Sequence, residues 1–579
     1  MTLSQRALTV ARRPVVWLAA AVVAVLGLLV ALPLAGLVGA TVGPDADGAW
    51  SDVLASPLSS ALLWEPLGGS LLVGLGTGAL ATVVGGFLAW VVVMTDAPWR
   101  RTLGALAAIP FALPSFAIAL AWETVFRNDL VGGQPGLLAG LGIAVPDWLA
   151  WGPVPVTLTL VAHYYSLSFV VVAAALANVG GDVVAAARLT GASRWRVATR
   201  VVLPSVGPAL LSGFLLAFAE GVSNFAVPAL LGLPVRFQTL STRLYGSIST
   251  GDTERGYVLA IVLVVVAGMV LLVGNRLTRG RSFSTITGKA TRAQRTRLGA
   301  ARWPLAMLAW VLVVVTAVVP GIVLVASTLL RRTHTLDGGF TLHYWVGDSD
   351  PDIAQGVRGV LRDPVVVDAL GGTLALGVSV AVGAVVLGAL ASIVLRALPK
   401  ARALHGTVGV LGYVPFLVPG VALGAAFIAQ LGTPTGPLPS LYGTFLILVL
   451  AGIAASLPFA FQTARAAFGQ VSSELDEAAV LTGARGPRRF GRITLPLVSR
   501  GLANGGVLVF VTMVRDLSVV VLLVTPATPL LSMQTFRYAS EGFTQHANAI
   551  TLVIAAVAVV ATLLSRRLER GTEPEKTTR

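Results

Sequence analysis

The chain has 579 residues, 55% of them hydrophobic and only 12% charged, with a net charge of +15 and no cysteine. A water-soluble domain carries about twice that charged fraction, and a soluble core has no means of hiding so much apolar surface. A bilayer removes the difficulty but forces each crossing segment to satisfy its own backbone, which predicts helices; disulfides and thiolate metal sites are excluded.

In chain order, residues 1–14 read as a short cytoplasmic tail with Arg6, Arg12 and Arg13. The uncharged run Val15–Val42 is too long for the apolar core of a cleaved signal and predicts a retained span. Further spans are expected at Leu67–Met94, Leu103–Trp122, Val156–Val179, Ser205–Leu233 and Tyr257–Gly274. A second set follows at Trp303–Leu330, Leu370–Leu395, Thr407–Leu431, Leu441–Ala464, Leu502–Val524 and Ala547–Ser565. With twelve spans and the N-terminus inside, Lys and Arg collect in the cytoplasmic segments and most Asp and Glu fall outside, as insertion rules require. The positive charge is thereby read as a topology signal, not a nucleic-acid footprint. The expected class is an all-α polytopic membrane protein with both termini cytoplasmic, in contact with membrane lipids.

The halves repeat. Gly68-Gly69-Ser70-Leu71 returns as Gly371-Gly372-Thr373-Leu374, Ile109-Pro110-Phe111 with Pro114 as Val414-Pro415-Phe416 with Pro419, and Leu189-Thr190-Gly191-Ala192 as Leu481-Thr482-Gly483-Ala484. Six spans per copy give both copies the same orientation, a parallel duplication about an axis along the membrane normal. The boundaries follow: a first unit 15–274 with a loop at 180–204, a basic linker 275–302, a second unit 303–565 with a loop at 465–496, and a cytoplasmic tail 566–579. The paired prolines predict kinks in the third and ninth spans.

The two loops are the most informative segments. One reads Ala185-Ala186-Ala187, then Gly191, then Leu203-Pro204; the other reads Glu477-Ala478-Ala479, then Gly483, then Leu495-Pro496. Alanine favours a helix, the glycine permits a left-handed turn, and the proline sits at the first turn of the next span. The product is a short helix-turn-helix lying along the membrane.

This pattern, present twice, resembles the EAA loop in the permease subunits of bacterial ABC importers of type I, the family related to the maltose, molybdate and methionine permeases. The resemblance covers nearly the whole chain and implies a MetI-like fold in each unit. It implies that the two loops couple to two copies of a cytoplasmic ABC ATPase, which hold the ATP and magnesium, and that an extracytoplasmic binding protein delivers the substrate. It also implies the bacterial inner membrane as location. Ala185 stands where the family usually has Glu, with Asp182 as a possible substitute. The stretches Val227–Gly232 and Arg236–Tyr245 resemble, more narrowly, the fused two-lobed permeases of ferric iron importers. Permeases for thiamine, phosphonates and polyamines share much of that pattern.

Four polar residues fall inside expected spans: Glu220 and Asn224, and Arg515 and Asp516. Charge at bilayer depth is costly unless paired or wet, so these are candidates for a pathway or gate between the units, or else for contacts between helices with Arg515 paired to a carboxylate. Asp516 falls opposite Asn224, where iron-type permeases often have an acidic residue. His163, Tyr164 and Tyr165 are further candidates for a cavity lining, and equally for contacts between helices. The segment Arg331–Pro364, with His334, Asp337, His343 and Asp348, reads as a solvated acidic external loop or as a contact for a substrate-binding protein, without metal-ligand spacing.

No phosphate-binding loop is present: Gly288-Lys289-Ala290 lacks the earlier glycine and the hydroxyl residue. The chain is therefore expected to be no enzyme and to bind no cofactor of its own. The competing class is a secondary transporter with two six-span halves, which needs no ATPase; the doubled loop argues against it.

Overall fold

The structure, a computed structural model, describes residues 3–43, 48–179, 181–278, 296–332, 335–434, 439–471 and 489–570. Ten helices there are long and apolar enough to cross a membrane, and two further helix pairs qualify jointly but bend sharply, by 95° between Arg100–Ala112 and Ser115–Phe126 and by 113° between Arg402–Leu417 and Gly420–Leu431. The helices on either side of each pair decide what the pairs are. A Cβ on Gly76 would touch Thr157, and one on Gly85 would touch Tyr165 and Phe169, so the helices Glu65–Met94 and Pro153–Ala177 run parallel. Contacts of Gly383 with Ile453 and of Gly388 with Ala460 make Pro364–Ala397 and Phe445–Gly469 parallel too. Chain leaving one parallel helix must recross before entering the next. Each bent pair is therefore one broken span, which gives twelve crossings and puts both ends of the described chain, with the loops, on one face.

The breaks have a local cause. Pro114 and Pro419 lack an N–H and sit in extended backbone, with ψ of 145° and 142°, and Leu113 and Val418 before them are extended as well; proline disfavours helix at the preceding residue. Prolines also mark every π turn among the described residues. Gly27–Ala31, Ser60–Trp64, Ala198–Val202, Val314–Val318 and Phe490–Thr494 each end two residues before one: Pro33, Pro66, Pro204, Pro320 and Pro496. The missing donor frees a carbonyl one turn back, and the helix widens locally to accommodate it.

The units exchange their first spans. Span 1 lays Val22, Leu26 and Val30 against Leu387, Val394 and Phe461 of the second unit. Span 7 (Gly299–Leu329) returns to the first, where Thr316 donates to the Tyr165 hydroxyl at 3.2 Å. At the unit boundary Asn548 donates to Thr124 of the first unit (3.1 Å) and to Ser327 (2.7 Å).

Several sequence boundaries move. The expected tail 1–14 is helical from Leu3, through Pro14, and the C-terminal helix continues through Arg570 into the expected tail 566–579. The helix Phe445–Gly469 extends into the expected loop 465–496. Spans 5 and 11 stop at Ser223 and Val514, ahead of the ends of their apolar runs, because Asn224 and Asp516 turn the chain there. The all-helical class holds apart from a small antiparallel hairpin pairing Leu330–Arg332 with Thr335–Phe340.

Candidate translocation site and loop

The repeated Gly-Gly-Ser/Thr-Leu motif builds the frame of the site. The Ser70 hydroxyl accepts from the Leu240 amide (2.7 Å), and the Thr373 hydroxyl from the Leu531 amide (2.9 Å). Each thereby caps the short helix that follows a broken span end, Leu240–Ser249 and Leu531–Ser540. The preceding glycine makes room: a Cβ on Gly69 would lie 2.3 Å from the Gln238 carbonyl oxygen, and one on Gly372 2.5 Å from that of Pro529. The iron-type stretch Arg236–Tyr245 supplies the first of these helices, closed by a capping box between Thr239 and Thr242.

Between the units lies a cavity of about 190 Å³. Both proline breaks line it, together with Glu220, Asn224, Arg515 and Asp516, so the four polar residues singled out from sequence meet in one place. Asn224 Nδ2 donates to Ser115 Oγ and to the Tyr164 hydroxyl, both at 3.0 Å, while its Oδ1 accepts from the Val227 amide at 3.0 Å. The Tyr164 hydroxyl in turn reaches Glu220. Across the cavity, Asp516 Oδ1 accepts from the Val519 amide at 2.8 Å. Arg515 forms no ion pair with a described carboxylate. Its Nη1 donates to the Leu113 carbonyl exposed by the first proline break (3.2 Å), and its guanidinium lies 4.4 Å from the centroid of the Phe111 ring. His163 is buried beside Phe111, its Nδ1 without a partner among the described residues, whereas Tyr165 turns away to span 7.

On the side of the cavity away from the loops, aromatic rings pack across the unit boundary. Just past Asn224, Phe225 packs on Tyr245 (4.8 Å between centroids) and on Phe536 of the second unit (5.5 Å). Toward the loop face the cavity continues: a second pocket of about 370 Å³ shares Phe111, Thr512 and Arg515 and runs along Asn504 and Leu508. Sequence reading missed these aromatics, since lone rings in apolar runs carry no signal of where they meet. The sequence alone showed neither Ser115 nor the backbone oxygen of Leu113 as a polar partner.

The first loop is a helix, Gly181–Leu189, carrying Asp182, Ala185, Ala186 and Ala187, followed by a turn and a second short helix, Arg194–Val197. Gly191 has φ of +80°; its amide bonds Arg188 O, and the Ala192 amide bonds Ala187 O, the pairing of a left-handed helix cap. Ala186 is exposed and Ala185 half-buried. Glu477, Ala478, Ala479 and Gly483 of the second loop lie outside the described residues. The linker end docks beside the first loop: the Thr296 amide bonds Met94 O (2.8 Å), Leu298 bonds the Asp96 carboxylate (3.0 Å), and Arg188 reaches Thr296 Oγ1 (3.4 Å).

Twelve crossings in two like units around a polar cavity define a membrane transport protein. The chain belongs to the family described as "Binding-protein-dependent transport system inner membrane component", whose pattern matches residues 81–277 and 384–574, one stretch in each unit. Both matches begin inside the second span of a unit, so the exchanged first spans lie outside them. The chain is thus the non-catalytic inner-membrane component of an ABC importer, a membership that implies an ATPase and a binding protein as partners. It is 27% identical over 432 residues to the probable ABC transporter permease protein y4fN of Sinorhizobium fredii, covering 72% of each chain. It is 23% identical over 480 residues to the ferric transport system permease protein FbpB of Actinobacillus pleuropneumoniae, covering 80% of this chain and 65% of that one. Over 197 residues it is 29% identical to the sulfate transport system permease protein CysT of Escherichia coli, covering 33% of this chain and 66% of that one.

Proposed function

We propose that the central cavity is the translocation pathway, that the two loops couple it to a pair of cytoplasmic ATPase subunits holding ATP and magnesium, and that the cargo is ferric iron. The observation that carries the reading is the cavity itself, which brings Glu220, Asn224, Arg515 and Asp516 together between the proline breaks of both units. Its lining offers oxygen donors: two carboxyl groups, the Tyr164 hydroxyl, Ser115, Ser223 and Ser518. Such donors suit a hard cation. Two carboxylates against one guanidinium disfavour a dianion such as sulfate. The aromatic closure around Phe225 on one side and the continuation toward the loops on the other fit a resting state open to the cytoplasm, both termini lying there.

The test is transport in vesicles carrying this chain with its partner ATPase and binding protein. Uptake of ferric iron that requires ATP is expected. ATP-driven uptake of sulfate or thiamine instead would overturn the cargo, and uptake without any ATPase would overturn the class of mechanism.

A further inference from the structure

The protein has an opening larger than the central cavity. A groove of about 790 Å³ lies in the first unit, between the loop-side half of span 2, span 5 and the loop itself. Phe87 and Trp90 of span 2 and Leu210 of span 5 form its apolar wall, and Arg188 and Trp195 of the loop stand at its mouth.

The duplication shows why it is open. The positions matching Trp90, Leu176, Val206 and Leu210 in the second unit are Ile393, Phe468, Val498 and Leu502, and these pack on one another in a single apolar cluster. Phe490 joins that cluster. Its counterpart in the first unit is Ala198, which lines the groove. Trp90, Leu176, Val206 and Leu210 pack in the first unit's core as their counterparts do in the second, so the difference is the ring: with Ala198 in place of Phe490, the space in front of them stays open as an apolar slot.

The mouth is basic. Arg196 and Arg200 are exposed next to Arg188, and none of the three is in ion-pair contact with a described carboxylate. Trp195, 78% exposed, has the amphipathic ring favoured at the headgroup level. An apolar slot within a leaflet that ends in guanidinium groups without an ion pair to a described carboxylate matches an acyl chain with a phosphate headgroup. We propose that this groove is a binding site for one anionic glycerophospholipid, with its chain along Phe87, Trp90 and Leu210 and its phosphate on Arg188. Because Val184 and Arg188 belong to the loop helix, the lipid fills the space behind that helix and sets its position.

The full chain, purified in mild detergent, is offered phosphatidylglycerol and phosphatidylcholine together, and retained lipid is read by native mass spectrometry. Phosphatidylglycerol should be retained in preference. Ala198→Phe, which copies the second unit's packing, should lower its retention about tenfold. Arg188→Gln should leave the slot intact and cut the preference for phosphatidylglycerol about fivefold, the value of one basic residue at an anionic headgroup. Equal retention of both lipids by the unaltered chain, or unchanged retention and preference in both variants, would overturn the site. The readout involves neither ATP nor cargo, so its failure is separate from a failure of the transport reading.

Discussion

Asn224 and Asp516, 292 residues apart, make the same bond: each side-chain oxygen accepts from the amide three residues on, at 3.0 Å and 2.8 Å, where a span ends inside the membrane. One is neutral and spends its amide on Ser115 and Tyr164; the other carries a carboxyl group into the cavity. The duplicated backbone needs a capping side chain at both places, and only the second copy makes that cap ionisable. Around them the units diverge further: Tyr164 and Glu220 face the cavity from the first unit, where the second places Ser456 and Thr512.

Exchanging the charge without the cap separates these roles. Asp516→Asn keeps an acceptor for the Val519 amide, so thermal stability should change by less than about 1 kcal/mol. Transport should fall about tenfold or more if the carboxylate meets the cargo, which corresponds to about 1.4 kcal/mol of lost stabilisation. The reverse change, Asn224→Asp, removes the donor to Ser115 and Tyr164 and sets a second carboxyl near Glu220, costing about 1–3 kcal/mol. Melting curves and uptake rates on both variants check this. Full transport by Asp516→Asn would remove that carboxylate from the pathway.

The aromatic closure makes a different demand. Phe536 contacts both Phe225 and Tyr245 across the unit boundary, at 5.5 Å and 6.4 Å. Each such pair contributes about 0.5–1.5 kcal/mol beyond its burial, so Phe536→Ala should weaken the proposed closure. Higher ATP hydrolysis in the absence of binding protein is the expected result. An unchanged basal rate would mean that the closure lies elsewhere.

Much of this architecture was legible from residue order. The proline pairs announced both broken spans, since a missing N–H acts locally and its effect survives any packing. The repeat Gly-Gly-Ser/Thr-Leu was visible, but its purpose was not: the hydroxyl of Ser70 caps an amide 170 residues away. The four intramembrane polar residues were found because charge in an apolar run is costly wherever it lies. Their partners were not, since Arg515 binds a backbone oxygen, and every residue has one. The exchange of first spans was equally hidden, because span 1 is apolar all round and such a helix does not say which neighbour it covers.

Gly191 ties the loop to its proposed coupling role. Its φ of +80° is open to glycine, and no described atom lies within 4 Å of where a Cβ would stand. Gly191→Ala therefore pays only the backbone term of about 1–2 kcal/mol, with stimulated ATP hydrolysis partly kept. Proline cannot adopt a positive φ, so Gly191→Pro should abolish stimulation while the protein still inserts at normal level. Comparison of membrane abundance with ATPase stimulation in the assembled complex reads both effects. Full stimulation in Gly191→Pro would exclude a docking role for the turn.

The parallel packing of spans 2 and 4, on which the count of twelve crossings rests, is testable through its glycines. A Cβ on Gly85 would lie 2.5 Å from the Tyr165 carbonyl oxygen and 2.7 Å from the Phe169 amide, backbone atoms that cannot swing aside. Its repeat partner Gly388 meets the Ala460 carbonyl oxygen at 2.9 Å, a milder clash, and Gly68 on the same helix as Gly85 meets nothing within 4 Å. Overpacking of this kind costs about 1–3 kcal/mol. Thermal unfolding in detergent should rank Gly85→Ala as the most destabilised, Gly388→Ala next, and Gly68→Ala close to the unaltered chain. If Gly85→Ala melted like Gly68→Ala, the close approach of the two helices would be wrong. The parallel pairing that makes span 3 a crossing would then lose its support.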